Sequence, residues 1–214
     1  MNPAAAESPE FAPNLSLPLR SAVSVDRNQR FFHEEPAEAL DRARLRRIEN
    51  FDSDRGCFAC GPDNPVGLRM SFYTDGTVVV SWLKIPAPLC GWRSVAHGGI
   101  VTTVLDEVMS WTAHHLIRRL ILTKSIRVDF KRPLYTEREI RAEGIVRQLN
   151  NDREGVLCAR IVDDRGRICA TAEGTFALLT PKVARRLGII EESIVANFER
   201  FLQEPSDSVG GGNP

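Results

Sequence analysis

The stretch AHGGIVTTVLDEVMSW, residues 96–111, sets a histidine and two glycines at the apparent start of a helix. Two adjacent carboxylates, Asp106 and Glu107, follow in its middle. A helix N-terminus presents unpaired N–H groups and partial positive charge. Gly98 and Gly99 have no Cβ to keep a ligand off the backbone. That suits a grip on a developing oxyanion, as on an attacked thioester carbonyl; a tight loop-to-helix turn is the other reading of the same glycines. Carboxylates in an otherwise apolar run are costly. One can leave through a gap in the packing, but neighbours about 100° apart on a helix can hardly both do so. A carboxylate in a partly dry cleft is what general-base or nucleophilic work requires. A buried ion pair, for instance to an arginine of SIRVDFKR, is the structural alternative.

Spacing restricts how these groups can cooperate. Gly98 and Asp106 lie about 12 Å apart along one helix. A reacting carbonyl needs its oxyanion donor and its base within about 3 Å. One helix cannot serve one substrate with both, whereas two antiparallel copies can. A catalytic helix therefore predicts at least a dimer with two equivalent sites. Ser110, one turn beyond Asp106, is placed to hold a water or steady the carboxylate, or simply to be a small residue at a helix contact.

The helix that carries these residues spans Gly98 to about Arg119 and is apolar nearly all round, so it must be wrapped on most sides. Strand patterns surround it. Arg69–Thr74 and Thr77–Ile85 flank the turn pair Asp75-Gly76, and SIRVDFK alternates Ile126, Val128 and Phe130 with charged residues. Glu139–Leu149, Val156–Asp163 and Ile168–Leu179 follow. Hairpin-linked strands make an antiparallel sheet. One sheet curled round one helix leaves part of that helix bare, which a second subunit would cover.

The flanks read differently. Residues 1–35 lack periodicity and are expected to be disordered or loosely draped. Residues 36–56 form a helix (Pro36 to Asn50) and linker, residues 57–180 the main domain, 181–203 a helical segment, and 204–214 a disordered tail. Composition is that of a globular protein, 43% hydrophobic and 26% charged. Lysine plus arginine equals aspartate plus glutamate at 28 each, so no global field draws the chain to nucleic acid or an anionic membrane. The basic run Arg42–Arg47 reads as a solvated face. The apolar stretch Ile100–Ile117 is interrupted by carboxylates and histidines, which favours a protein-buried helix over a membrane span. Five cysteines form an odd, sparse set, and no signal-peptide core is evident at the N-terminus. A cytoplasmic location is the expectation.

HGGIVTTVLDE resembles the signature of the PaaI-type acyl-CoA thioesterases of the hotdog-fold superfamily. In these, His-Gly-Gly precedes an Asp or Glu nine residues after the histidine, the spacing of His97 to Asp106. VDFKRPL, residues 128–134, is similar to that family's strand after the helix. CFACGPDNPVGL, residues 57–68, resembles the lead-in segment of one branch. The resemblance covers about residues 57–179. It implies an α+β hotdog fold, an antiparallel sheet wrapped around one long central helix, in a homodimer or dimer of dimers acting on acyl-CoA or acyl-carrier thioesters without a cofactor. It further implies that the Gly98 amide polarises the thioester carbonyl, that Asp106 of the other subunit activates water or attacks, and that His97 shapes the loop. Glu107 is the weaker candidate. Gly91 stands where many members carry Asn or Gln, and Thr136-Glu137 where a glycine is usual.

Candidate substrate-binding residues are Gly99, Trp92 and Met109, with Lys131 and Arg132 as partners for coenzyme A phosphates. Cys57-x-x-Cys60 has half the spacing of a structural zinc site; with no second pair in sequence, plain thiols and no metal are expected. His114-His115 reads as packing rather than metal binding. Two rival functions remain: an acyl-CoA sensor that barely turns over, and an enoyl-thioester hydratase or dehydratase, which wants a histidine paired with a carboxylate.

Overall fold

Asp75 and Gly76 close the first hairpin. The Asp75 carboxylate accepts from the Thr77 and Val78 amides, and Gly76 takes φ +89°, which costs a residue without Cβ little. The hairpin joins β2 (Tyr73–Thr74) to β3 (Val79–Lys84), and β1 (Arg46–Arg47) pairs with β2 from upstream. These belong to a computed structural model that describes residues 31–32, 37, 40–50 and 55–203.

After β3 come a small ribbon, β4 (Cys90–Trp92) and β5 (Val95–Ala96), and the central helix α1 (Gly98–Thr112). One π-helical turn, Ala113–Ile117, extends α1, and Arg118 in the left-handed region (φ +58°) ends it. Four long strands follow: β6 (Leu120–Phe130), β7 (Glu139–Asn151), β8 (Glu154–Val162) and β9 (Ile168–Leu179). The sheet is antiparallel and seven-stranded in the order β1-β2-β3-β7-β8-β9-β6, so β6 lies at one edge. The fold is α+β, a sheet wrapped around one long helix, as the sequence patterns require.

The core lies between helix and sheet. Val101, Val104, Leu105, Val108 and Met109 of α1 pack against Ala142, Leu157, Ala159, Ile161, Ala172 and Phe176 of the strands. The helix crosses β7 so closely that a Cβ on Gly144 would sit 2.3 Å from Thr112 Oγ1 and 2.9 Å from the Val108 carbonyl. Only glycine admits that approach.

The outer face of the sheet is not bare. Glu143 is 2% exposed and pairs with Arg141 at 2.6 Å and Arg160 at 2.9 Å. Phe31 covers them, its carbonyl accepting from Arg160 and its ring lying 4.6 Å from that guanidinium. Phe31 and Phe32 thus dock where a loose extension was expected; residues 1–30 lie outside the described residues. The helix expected over 36–50 is also replaced. Residues 42–44 form a 3-10 turn capped by Asp41, and Arg46–Arg47 add a strand to the sheet edge, where pairing with Tyr73 and Thr74 outweighs weak helical periodicity.

At the other end, α2 (Pro181–Leu187) starts on the Thr180 cap, and α3 (Glu192–Gln203) packs Val195 and Phe198 against Leu120, Leu179 and Ala184. Arg185 ties the two helices together through Glu192 and Glu199. The tail from 204 lies outside the described residues. No helix among the described residues is long and apolar enough to cross a membrane.

Candidate functional site at the start of the central helix

His97 is the N-cap of α1. Its Nδ1 accepts the Gly99 N–H at 3.0 Å, and its carbonyl accepts from Ile100 and Val101. The Gly99 amide is thereby taken by the cap. The Gly98 N–H has no acceptor among the described residues, and Gly98 is exposed. An orphan donor at a helix N-terminus is what an oxyanion binds. The Phe130 ring flanks it, 3.6 Å from where a Gly98 Cβ would be. Gly91 lies against His97 from the other side, its missing Cβ 3.4 Å from the imidazole Cδ2.

From Gly98 the helix shows a partly uncovered stripe at one-turn spacing: exposed Gly98, then half-buried Thr102, Asp106 and Ser110. Thr102 returns its hydroxyl to the Gly98 carbonyl at 3.0 Å. The Asp106 Oδ1 accepts from the Thr123 hydroxyl of β6 at 2.9 Å. Burial raises the Asp106 carboxyl above its ordinary range, and the Thr123 bond pulls it partly back. Ser110 does not steady that carboxylate. Its hydroxyl donates to the Asp106 backbone carbonyl at 2.9 Å, the usual back-bond of a helical serine.

Thr123 and Phe130 are the site residues that sequence reasoning missed. Alternation in SIRVDFK sends Ile126 and Val128 toward the core and Thr123 away from it. The register shifts between Thr123 and Ser125, which face Phe176 and Thr175, leaving Lys124 as an extra bulged residue. That bulge reverses the parity upstream and turns Thr123 toward α1. A threonine preceding a lysine carries no signal for a bulge.

Met109 is wholly buried and points under β9, where its Cε lies 3.3 Å from the Cβ position of Gly174, so it lines no open cleft. Lys131 Nζ donates to the Phe32 carbonyl at 3.2 Å, and Arg132 Nη1 to the Ile168 carbonyl at 2.6 Å. Trp92 is 83% exposed on β4, next to Arg93 at φ +46°. Glu137 adopts φ +63°, the conformation for which a glycine is usual, and its carboxylate compensates by capping the Ala87 amide at 2.7 Å.

Glu107 forms no ion pair with Arg127, the arginine of β6. Its Oε1 accepts from Trp111 Nε1 at 3.0 Å, and the sulfurs of Cys57 and Cys60 lie within 4.8 Å of its carboxylate. Burial pushes the Glu107 carboxyl up to about 7, with nearby Cys57 charge adding to the rise. Cys57 is drawn down by the bond from Cys60 and by the amides of Cys60, Ala59 and Gly61, while Cys60 is raised. His114 packs edge-on to Trp111 and Phe198, and its Nδ1 meets the Arg119 carbonyl at 2.9 Å, a packing role as expected.

Residues 94–170 match the model of the thioesterase superfamily. Verlamelin biosynthesis protein B of Lecanicillium sp is 28% identical over 153 residues, covering 54% of this chain and 66% of that protein, so the chain spans just under two thirds of that relative. A solved thioesterase superfamily protein shares 22% identity, 71% of this chain and 75% of its own, with a TM-score of 0.53. The E. coli PaaI protein from the phenylacetic acid degradation operon shares 19% identity, 52% of this chain and 80% of its own, at a TM-score of 0.47. The architecture is the hotdog fold.

Proposed function

We propose that this chain, whose residues 94–170 match the thioesterase superfamily model, hydrolyses acyl-CoA or acyl-carrier thioesters at sites shared between two copies. The observation that carries this reading is the partly uncovered stripe of α1. It bears the unbonded Gly98 amide at one end and, two turns on, the shielded Asp106 carboxylate held by Thr123. The stripe adjoins the outer edge of β6, whose backbone pairs with β9 on one side only and whose Leu122 and Phe130 are 40% and 58% exposed. An exposed apolar edge strand beside a partly uncovered helix face is a surface for a second copy.

Pairing two such faces about a two-fold axis sets Gly98 of one copy opposite Asp106 of the other. The thioester carbonyl oxygen accepts the Gly98 N–H. The partner subunit's Asp106 takes a proton from water as its oxygen attacks the carbonyl carbon, and the negative charge gathers on the oxygen facing Gly98. Collapse of that intermediate breaks the C–S bond, and the thiolate leaves with the proton returned to it. Direct attack by the carboxylate uses the same geometry. His97 orients the turn, its Nδ1 holding the Gly99 amide at 3.0 Å.

Gly91 favours a second reading. Beside His97 it offers no side-chain amide to position a water, which suits an acyl-CoA sensor with little turnover. Thiol release from short, aromatic and long-chain acyl-CoAs separates the two. Hydrolysis of one class that falls at least about a hundredfold in Asp106→Asn, with the dimer intact by sedimentation, is the expected result. Tight binding without turnover would support the sensor, and a strict monomer at micromolar concentration would overturn the shared site.

A further inference from the structure

We propose that Cys57, Cys60 and Glu107 form a binding site for a zinc-class divalent cation that fastens the 57–68 loop to the central helix. The inference is independent of the thioesterase reading. One ligand atom from each residue, two thiol sulfurs and a carboxylate oxygen, lies within 4.8 Å of the others. In a tetrahedral zinc site, with Zn–S about 2.3 Å and Zn–O about 2.0–2.2 Å, neighbouring ligand atoms are roughly 3.5–3.8 Å apart. Closing from one arrangement to the other shortens each separation by at most about 1–1.3 Å, within reach of side-chain rotation.

The loop is shaped to offer thiolates. Gly61 N–H donates to the Cys57 carbonyl at 2.9 Å, folding residues 57–61 into one tight turn. That turn brings the amides of Ala59, Cys60 and Gly61 round the Cys57 side chain and sets the two sulfurs on one side of the loop. A Cβ at Gly61 would lie 2.4 Å from the Arg55 carbonyl and 2.5 Å from the Cys57 nitrogen, so the turn admits only glycine. On the helix side, Trp111 Nε1 holds Glu107 Oε1 at 3.0 Å, and the Trp111 ring stacks on Phe72 at 4.8 Å. Such a donor behind a carboxylate fixes the orientation of the oxygen that binds metal.

The donor set decides the class of ion. Two sulfurs exclude magnesium and calcium, which take oxygen ligands, and favour zinc among the common divalent cations. Binding displaces the thiol protons to solvent, and the dication then offsets the thiolate and carboxylate charges. Three protein ligands leave the fourth position for water or another donor. Sequence spacing alone shows only Cys57-x-x-Cys60; the third ligand comes from a helix that folding brings alongside.

The test uses the full-length protein, reduced and stripped with a chelator, then titrated with cobalt(II). The expected result is one cobalt per chain, with thiolate-to-cobalt charge-transfer absorption and tetrahedral visible bands, both removed by one equivalent of zinc. Cys57→Ser and Cys60→Ser should weaken the charge-transfer band. Glu107→Gln should keep it and lower affinity at least about tenfold. Zinc should raise the melting temperature of the wild type and not of Cys57→Ser, a comparison that stands even if one variant folds poorly. Absence of charge transfer in the wild type with both thiols reduced overturns the site. So does formation of a Cys57–Cys60 disulfide under mild oxidation by a protein that binds no cobalt, which would make the pair a redox dithiol.

Discussion

Replacing Thr123 by valine keeps the size and branching of the side chain and removes one hydroxyl, whose proton bonds to Asp106 Oδ1 at 2.9 Å. The size of the effect depends on what covers the pair. Thr123 is exposed on the single chain and Asp106 half-buried. Open to water, the lost hydrogen bond is replaced at once by solvent and costs about 0.5 kcal/mol, roughly a twofold change in rate. Beneath a second copy, water cannot replace it. A hydrogen bond to an ionised group is then worth about 1.5–3 kcal/mol, which lowers kcat/KM by roughly 10- to 100-fold. Thioester hydrolysis by wild type, Thr123→Val and Thr123→Ser measures this directly, with sedimentation showing that each variant keeps the same assembly. Serine retains the donor and should stay within about threefold of wild type. A valine variant as active as wild type would refute the covered site, and a serine variant as impaired as valine would show that the methyl group, not the hydroxyl, mattered.

Two further outcomes follow from the packing. Gly144→Ala forces a methyl into the crossing of α1 over β7, 2.3 Å from Thr112 Oγ1 and 2.9 Å from a backbone carbonyl that cannot swing away. The expected loss is about 1–3 kcal/mol, at roughly 2–4 °C of Tm per kcal/mol for a chain of this size, read by circular dichroism; an unchanged Tm would mean the helix is not seated as described. His114 is pushed down to about 4 by burial, so the folded chain holds it neutral while the unfolded chain binds a proton below about 6.5. Its contribution is therefore intact above the unfolded value and lost as pH falls from about 6.5 toward 4, by up to about 2–3 kcal/mol, the lower figure allowing for the ring's residual contact with water. Urea midpoints across that window should fall less steeply in His114→Gln than in wild type.

The parts of the fold that were legible are those governed by local rules. Asp75-Gly76 marks its hairpin, Ile168–Leu179 coincides with β9, and the apolar run after Gly98 is the central helix. What failed depended on long-range pairing. Arg46 and Arg47 are strand residues because Thr74 and Tyr73 lie opposite, not because of their own propensity. Of the candidate site, His97 is the cap of the central helix, Gly98 its first residue and Asp106 a half-buried position two turns on, which the helical run in the sequence already places; the burial of Met109 and the carbonyl partners of Lys131 and Arg132 depend on strands and segments that have no local sequence signal. Thr123 was hidden by a bulge, and the third partner of Cys57 and Cys60 by distance along the chain.

The adjacent carboxylates that made this helix conspicuous are explained by their two directions. Neighbours on a helix diverge by about 100°, so one face cannot hold both. Asp106 turns to the partly uncovered stripe, where Thr123 from the edge strand meets it and a second copy has room to dock. Glu107 turns inward under the 57–68 loop, to Trp111 and the two cysteines. Each carboxylate is costly to bury alone, and each has a specific partner that offsets part of the cost. If the pair were a single functional unit, neutralising either would damage the same property. The geometry separates them: Asp106→Asn should abolish turnover and leave cobalt binding intact, whereas Glu107→Gln should weaken cobalt binding. Loss of cobalt binding in Asp106→Asn would mean that the two directions seen in the structure are coupled after all, through the one helical turn they share.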